Sequence, residues 1–357
     1  MEQNLIEERA IPGPNGTLAV AKDLPNLDVL RAFAVLAVAG SHLFRFSIKF
    51  PYPASVHNFS VGGVLFFFVH TSLVLLLSMQ RTRSNNLTLN FYIRRAFRIY
   101  PLCWACIILV LATGLTDVPG KLIVQMGWRG ILANLALVQN IIRYPNIEMP
   151  LWSLPWEVQM YLLLPAIFLI LRKYDRARVP LAMWFGATVL AIAFTVLNVP
   201  RVFQAAVFPP MFIGGMVAFR LLGQVRVRFP SFAWPLAILG LMLARCVFMR
   251  GVLITTPRNV AVNAATCLLL GLAIPLFAEV RSPWLRYLAH QLAKYSYGIY
   301  LLHIPSLALV FTYMPWLPLP LKVVAFIAIT GAASVMAYHL IENPLIQVGR
   351  SIAKKVG

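Results

Sequence analysis

A helix crosses about 30 Å of hydrocarbon in about 20 residues, and the chain contains ten apolar runs of about that length. They lie near 29–48, 60–80, 99–116, 151–171, 180–198, 204–222, 231–249, 259–278, 295–314 and 320–341. An eleventh stretch, 121–142, is apolar but interrupted by Gln125, Arg129, Asn134 and Gln139. It fits either a further span or a helix lying in the interface. The pattern predicts an all-α integral membrane protein, a bundle of about ten transmembrane helices.

Charge selects between the two counts. With 121–142 not crossing, the N-terminus, the loops 81–98, 172–178, 220–228 and 279–294, and the C-terminal tail share one side. Those segments hold roughly two thirds of the 31 Lys and Arg residues, the bias expected of cytoplasmic segments. If 121–142 crossed, the later basic segments would change sides and the bias would collapse. Ten spans with both termini cytoplasmic are therefore expected. The segments are a cytoplasmic N-terminal stretch 1–26, a membrane domain 27–345 and a basic cytoplasmic tail 346–357. Residues 1–26 lack the basic start and apolar centre of a signal peptide, so the first apolar run is expected to remain as a span.

Composition agrees. The 357 residues are 60% hydrophobic and 12% charged, about half the charged fraction of ordinary globular domains. A soluble chain this apolar would expose large sticky patches. The net charge of +20 does not signal nucleic acid, because the cations sit between apolar runs and not on a water-soluble face. Cys103, Cys106, Cys246 and Cys267 lie in or beside apolar runs, which argues against a disulfide framework, and no ligand pair for a metal accompanies them.

Ionisable groups inside spans are costly and are functional candidates by default. Glu157 is the acidic residue well inside an apolar run, while Asp28 and Glu342 mark the ends of the membrane region. Arg31 and His42 are eleven residues apart, three helical turns and about 16 Å along one face. His42 then lies in the outer half of the membrane. Glu157 begins a span entering from the outer side, so the two are expected to meet. A carboxylate beside a histidine orients the ring and stabilises its charged form, which makes a good general base. A histidine in a span is, taken alone, as often a structural hydrogen bonder. Before the third span, Arg94, Arg95 and Arg98 share a helix face and suit a polyphosphate through bidentate bonds. A topology anchor on anionic lipid headgroups is the other use of such a cluster.

These residues together resemble the acyltransferase 3 family, membrane enzymes that acylate polysaccharides, lipids and some antibiotics. The family's Arg, ten residues, then His resembles Arg31 and His42. Its Arg-x-x-Arg resembles Arg95 and Arg98. Its W-S-L-x-x-E-x-Q-x-Y resembles Trp152-Ser153-Leu154 through Glu157, Gln159 and Tyr161. Tyr295-Ser296-Tyr297-Gly298 through His303, and Ile341-Glu342-Asn343-Pro344, are similar to its two C-terminal signatures. One departure is the second span, where Phe66-Phe67-Phe68-Val69-His70-Thr71-Ser72-Leu73 stands for the family's frequent F-F-x-x-S-G-F, so that the glycine is lost and His70 gained.

The resemblance implies a membrane O-acyltransferase with no bound cofactor, in a multi-pass protein of the inner or plasma membrane. An acyl-CoA, acetyl-CoA foremost, would be the donor, its phosphates docked on Arg95 and Arg98 with help from Arg31. His42 would take a proton from an acceptor hydroxyl, Glu157 would orient the imidazole, and Tyr161, one turn on, would hold the acceptor or polarise the carbonyl. A route through an acyl-histidine is equally open. The acceptor would be a cell-surface carbohydrate, a glycolipid or a related hydroxyl compound. His303 and His339 are expected to pack or hydrogen bond. The chain is expected to be a stand-alone membrane module without the extracytoplasmic hydrolase-like domain of some larger members. A secondary transporter would also bury His, Glu and Arg, but usually shows repeats or broken helices in matching halves, and no such pair stands out.

Overall fold

In the computed structural model the apolar runs form helices α1 (Pro25–Ser47), α2 (Ala54–Arg81), α3 (Leu87–Thr113), α6 (Leu154–Lys173), α7 (Arg178–Val196), α8 (Pro209–Leu221), α9 (Ala233–Phe248), α10 (Pro257–Ala273), α11 (Pro283–Tyr313) and α12 (Leu319–Ala337). Shorter helices α4 (Gly120–Leu135) and α5 (Gln139–Ile142) follow α3, and α13 (Asn343–Val356) ends the chain. The structure describes residues 24–47, 53–82, 84–118, 120–174, 176–197, 199, 206–225 and 229–356. Most of the expected N-terminal segment 1–26 lies outside them. Among the described residues no strand forms, and one isolated bridge joins Phe229 to Phe277.

Eight segments are long and apolar enough to cross a membrane, which makes this an all-α, multi-pass membrane protein. The other two expected spans coincide with shorter helices, α8 of 13 residues and α9 of 16. The stretch 121–142 is not of span length. It breaks at Gly127, whose φ of 60° and ψ of −176° lie outside helical geometry. Its polar interruptions tie it down locally. Asn134 Nδ2 donates to Gly130 O (2.9 Å) and Pro145 O (3.0 Å), its Oδ1 accepts from Ile147 N (3.1 Å), and Gln139 Nε2 donates to Leu151 O (3.2 Å). Backbone that leaves the helix needs such partners at membrane depth.

The helix α2 is the centre of the bundle. Its apolar stretch is 83% buried, against 17% for α7, whose remaining surface faces outward as lipid-contacting helices do. Around α2 pack α1, α8, α9 and α10, and α1 in turn packs on α11. Small residues allow the closest approaches, as they do where lipid removes the hydrophobic drive between helices. A Cβ on Gly271 would stand 2.0 Å from Gly214 O, one on Gly214 would stand 2.3 Å from Cys267 O, and one on Gly215 would stand 2.1 Å from Val69 O. The helix α8 is thus wedged backbone-to-backbone between α2 and α10.

A five-residue π-helical turn, Tyr338–Glu342, joins α12 to α13. It turns the end of the membrane region back onto α3, where α13 also lies.

Gly271→Val should therefore force α8 and α10 apart. Overpacking of this kind costs about 1–3 kcal/mol. The expected result is a lower melting temperature in detergent, measured beside Gly331→Val, where a Cβ meets nothing within 4 Å.

Candidate functional site

Polar side chains gather at two levels of the bundle. The first is at the basic end, where α3 begins. Asn86 caps α3 by accepting from Leu89 N at 3.2 Å, which starts the helix so that Arg94, Arg95 and Arg98 share a face. A cavity of about 1420 Å³ opens beside them. Seven arginines (Arg31, Arg81, Arg94, Arg95, Arg98, Arg286, Arg350) and two lysines (Lys294, Lys354) line it with one carboxylate, Asp28. The Asp28 carboxylate lies 3.0 Å from His290 Nδ1. Arg94 Nε and Arg95 Nε are buried without a hydrogen-bond partner among the described residues. A bay this cationic suits a ligand with several phosphates.

The cavity narrows into a recess of about 70 Å³ lined by Arg31, His70, Thr71, Arg95, Arg98, Glu157, Tyr161 and Tyr297. Here the Tyr161 hydroxyl donates to Glu157, one turn before it on α6, and Thr71 lines the same recess. Arg31 Nε donates to Ser296 Oγ at 2.6 Å. Arg98 is ion-paired with Glu342 and lies over the Tyr297 ring, 5.6 Å from its centroid. The π-helical turn is what brings Glu342 there.

The second level lies farther along α1. His42 Nδ1 is 2.7 Å from His303 Nε2 of α11, with the rings nearly coplanar at 5°. His303 Nδ1 faces only carbonyls, Tyr300 O at 2.8 Å and Ile299 O at 3.1 Å. A carbonyl accepts and cannot donate, so His303 Nδ1 carries the hydrogen and Nε2 the lone pair. His42 Nδ1–H then donates to that lone pair. The remaining nitrogen, His42 Nε2, is left as the base, and the Ser60 hydroxyl of α2 stands 3.3 Å from it. The chain of acceptors thus fixes one tautomer of His42.

The six expected site residues therefore divide. Arg31, Arg95, Arg98, Glu157 and Tyr161 share the recess at the basic end. His42 is apart from them. The structure does not bring Glu157 onto His42: both ring nitrogens of His42 face His303 and Ser60, and the Glu157 carboxylate accepts from Tyr161. The physical reason is depth. Glu157 lies close to the Arg31 level, where cations and cavity can hold its charge. The orienting partner of His42 is a neutral histidine, which costs far less to bury than an ion. His303 lies two turns beyond Ser296, the Arg31 partner, on one stripe of α11. That seven-residue spacing was the signal that pairs the two helices at both levels. Ser60 carried no such signal. The cations Arg286, Lys294, Arg350 and Lys354 come from loop and tail segments that converge only in the fold.

A large cationic cavity beside a recess of hydroxyl, carboxyl and imidazole groups, inside a bundle of apolar helices, is the candidate site. The chain belongs to the acyltransferase 3 family: the family profile described as an acyltransferase domain matches residues 24–339. It is similar to "Acyltransferase MdmB" of Streptomyces mycarofaciens, 30% identical over 199 residues that cover 52% of this chain and 48% of that protein. It is also similar to "Peptidoglycan O-acetyltransferase OatA" of Listeria monocytogenes serovar 1/2a, 25% identical over 373 aligned positions that cover 92% of this chain and 56% of that one. The chain thus spans about half the length of these relatives. No solved structure matches it.

The buried Glu342 carboxylate should be needed to hold Arg98. Breaking a fully buried pair costs about 3–5 kcal/mol. The Arg98 side chain keeps 21% exposure toward the cavity, so Glu342→Ala should cost less, about 2–3 kcal/mol. A melting temperature unchanged from wild type in detergent would show that the pair does not hold α3 to the α12–α13 turn.

Proposed function

We propose that this enzyme is a membrane O-acyltransferase that takes an acyl group from acyl-CoA, acetyl-CoA foremost, and gives it to a hydroxyl of a carbohydrate or glycolipid. The observation that carries this reading is the cavity itself, a cationic bay that narrows to a small polar recess. A nucleotide with several phosphates fits the bay, and an acyl-bearing thiol arm fits the narrowing. Arg94 and Arg95 line the bay where the phosphates would sit, and Arg98, held by Glu342, adds to the positive field. Arg31 and the Glu157–Tyr161–Thr71 group would bind the arm at the recess. The basic end is then the cytoplasmic face, both termini lie there, and the membrane is the inner or plasma membrane. The relatives' printed names, an acyltransferase and a peptidoglycan O-acetyltransferase, support a hydroxyl acceptor and an acetyl group.

In this reading His42 Nε2 is the general base, poised by its tautomer to take a proton. His303 is its positioning residue, doing by a neutral hydrogen bond what Glu157 was expected to do by charge. Glu157 and Tyr161 act on the donor side. His70, a departure from the family's usual pattern in the second span, lines the same recess and narrows the space for the acyl chain.

Two measurements test this on the purified protein with radiolabelled acetyl-CoA and an envelope-glycan extract. Arg94→Ala with Lys354→Ala should raise KM for acetyl-CoA about tenfold or more with little change in kcat, and the effect should shrink in high salt. Uptake of a solute into proteoliposomes without any acyl donor, and no donor binding, would replace the acyltransferase reading with a transporter.

The second measurement separates positioning from packing. His303→Leu should lower kcat about 100-fold or more with KM for the donor nearly unchanged. His303→Gln, whose side-chain carbonyl can accept from His42 Nδ1–H, should restore most of it. Equal activity of the Leu and Gln variants would remove the tautomer role from His303.

A further inference from the structure

The Ser60 hydroxyl is unusual among the hydroxyls of this bundle. In a helix a serine or threonine commonly turns back onto the carbonyl four residues earlier. Ser41, Ser47, Thr188, Thr266, Ser306 and Ser334 all do so, at 2.6–2.8 Å. Ser60, buried on α2, directs its oxygen to His42 Nε2 at 3.3 Å. The tautomer derived above leaves His42 Nε2 able only to accept, so the Ser60 O–H donates. Hydroxyl, base and orienting group thus stand in line: Ser60, His42, His303, with the Tyr300 carbonyl behind. A nucleophile within reach of a base that is itself oriented by a third group is the geometric signature of covalent catalysis. Such contacts are often long without substrate and tighten when it binds.

Position gives this arrangement a use. His42 lies about 16 Å along α1 from Arg31, beyond the recess where the donor arm would enter. The donor comes from the basic end, and an envelope acceptor comes from the other. A covalent ester between them lets CoA leave before the acceptor arrives.

We propose that Ser60 is the acyl-accepting nucleophile of this enzyme, forming an O-acyl-serine midway between donor and acceptor. The inference rests on the acyl-transfer reading above. Ser60 Oγ attacks the thioester carbonyl carbon as its proton passes to His42 Nε2. The C–S bond breaks, and the leaving thiolate takes that proton to become free CoA. The acceptor hydroxyl then gives its proton to His42 Nε2 and attacks the ester carbonyl. The bond from the acyl carbon to Ser60 Oγ breaks, and Oγ regains the proton from His42. Each half-reaction returns His42 to its starting tautomer, with its Nδ1–H donated to His303 throughout.

The test uses the full chain in detergent with radiolabelled acetyl-CoA and no acceptor, quenched in acid and mapped by peptide mass. Wild type should release a stoichiometric burst of CoA and carry acid-stable label on the peptide containing Ser60. Ser60→Ala and His42→Ala should carry none, and Ser60→Ala should lose about 100-fold or more of glycan labelling while binding acetyl-CoA as wild type does. Ser60→Cys should hold the label as a thioester cleaved by neutral hydroxylamine. A wild-type chain that turns over without acid-stable label, label found on His42 instead, or Ser60→Ala acting at the wild-type rate would each overturn the role of Ser60 alone. A folded wild-type protein that releases no CoA from any short acyl-CoA would overturn the acyl-transfer reading, and Ser60 with it.

Discussion

A polar group inside an apolar bundle has to be matched there, because no water is at hand to match it and the cost of leaving it bare is several kcal/mol. That constraint organises this molecule. Several chemistry-bearing residues in the membrane region are matched in this way: Arg31 with Ser296, Arg98 with Glu342 and His42 with His303 across helices, and Glu157 with Tyr161 within α6. The cross-helix partners tie α1 to α11 and α3 to the α12–α13 turn. Apolar packing alone would do this poorly, since lipid tails compete with side chains for the same contacts. The site is therefore also a set of clamps, and its geometry is inseparable from the fold.

The two levels differ in how they meet the constraint. At the basic end the cavity is large, so cations there are partly hydrated and can outnumber carboxylates nine to one along its wall. Among the described residues, Arg98, deeper and beside Tyr297, is paired with the buried Glu342. Farther in, around His42, the ring hydrogen bonds are neutral. The change follows the Coulomb and desolvation balance: charge is tolerable where water or an anionic ligand reaches it, and expensive where neither does.

Much of this was legible in the sequence. The apolar runs correspond to eight long helices and two shorter ones at the expected places, and 121–142, the stretch with polar interruptions, forms no helix of span length. Arg31 and Glu157, expected as polar residues in spans, Arg95 and Arg98, expected as a phosphate-binding pair before the third span, and Tyr161, from the motif after Trp152, share one recess. What the sequence hid was pairing between helices. Helical periodicity places Arg31 and His42 on one face of α1, but says nothing about which neighbour faces that stripe. The depth of Glu157 was misjudged because the one-turn 3₁₀ helix Met149–Trp152 enters before α6 and carries residues of the apolar run without starting the main helix. Glu148, which the apolar pattern leaves outside the expected spans, is fully buried and accepts from Cys106 Sγ at 3.2 Å. Glu342 was read as a boundary marker, and a π-helical turn rotates it inward onto Arg98. Short departures from α geometry of this kind are common at functional sites and leave little trace in an apolar pattern.

With His42 in its proposed role as the base, the neutral orienter behind it has a mechanistic consequence. In the familiar serine triad a buried carboxylate stabilises the imidazolium by charge. In this bundle a carboxylate beside His42 would itself have to be buried far from the cationic end, and its desolvation would offset much of that gain. A second imidazole avoids the standing charge. It still accepts the Nδ1–H bond, still selects the tautomer, and becomes a stronger partner only when His42 is protonated, since hydrogen bonds from a charged donor are roughly twice as strong as neutral ones. Stabilisation is thereby concentrated in the moment of proton transfer, where it lowers the barrier, and is small in the resting state, where it would only deepen the well. The same low-dielectric environment that excludes a carboxylate makes that added strength larger. A bundle that must stay dry between donor and acceptor thus favours a histidine pair over a histidine–carboxylate pair.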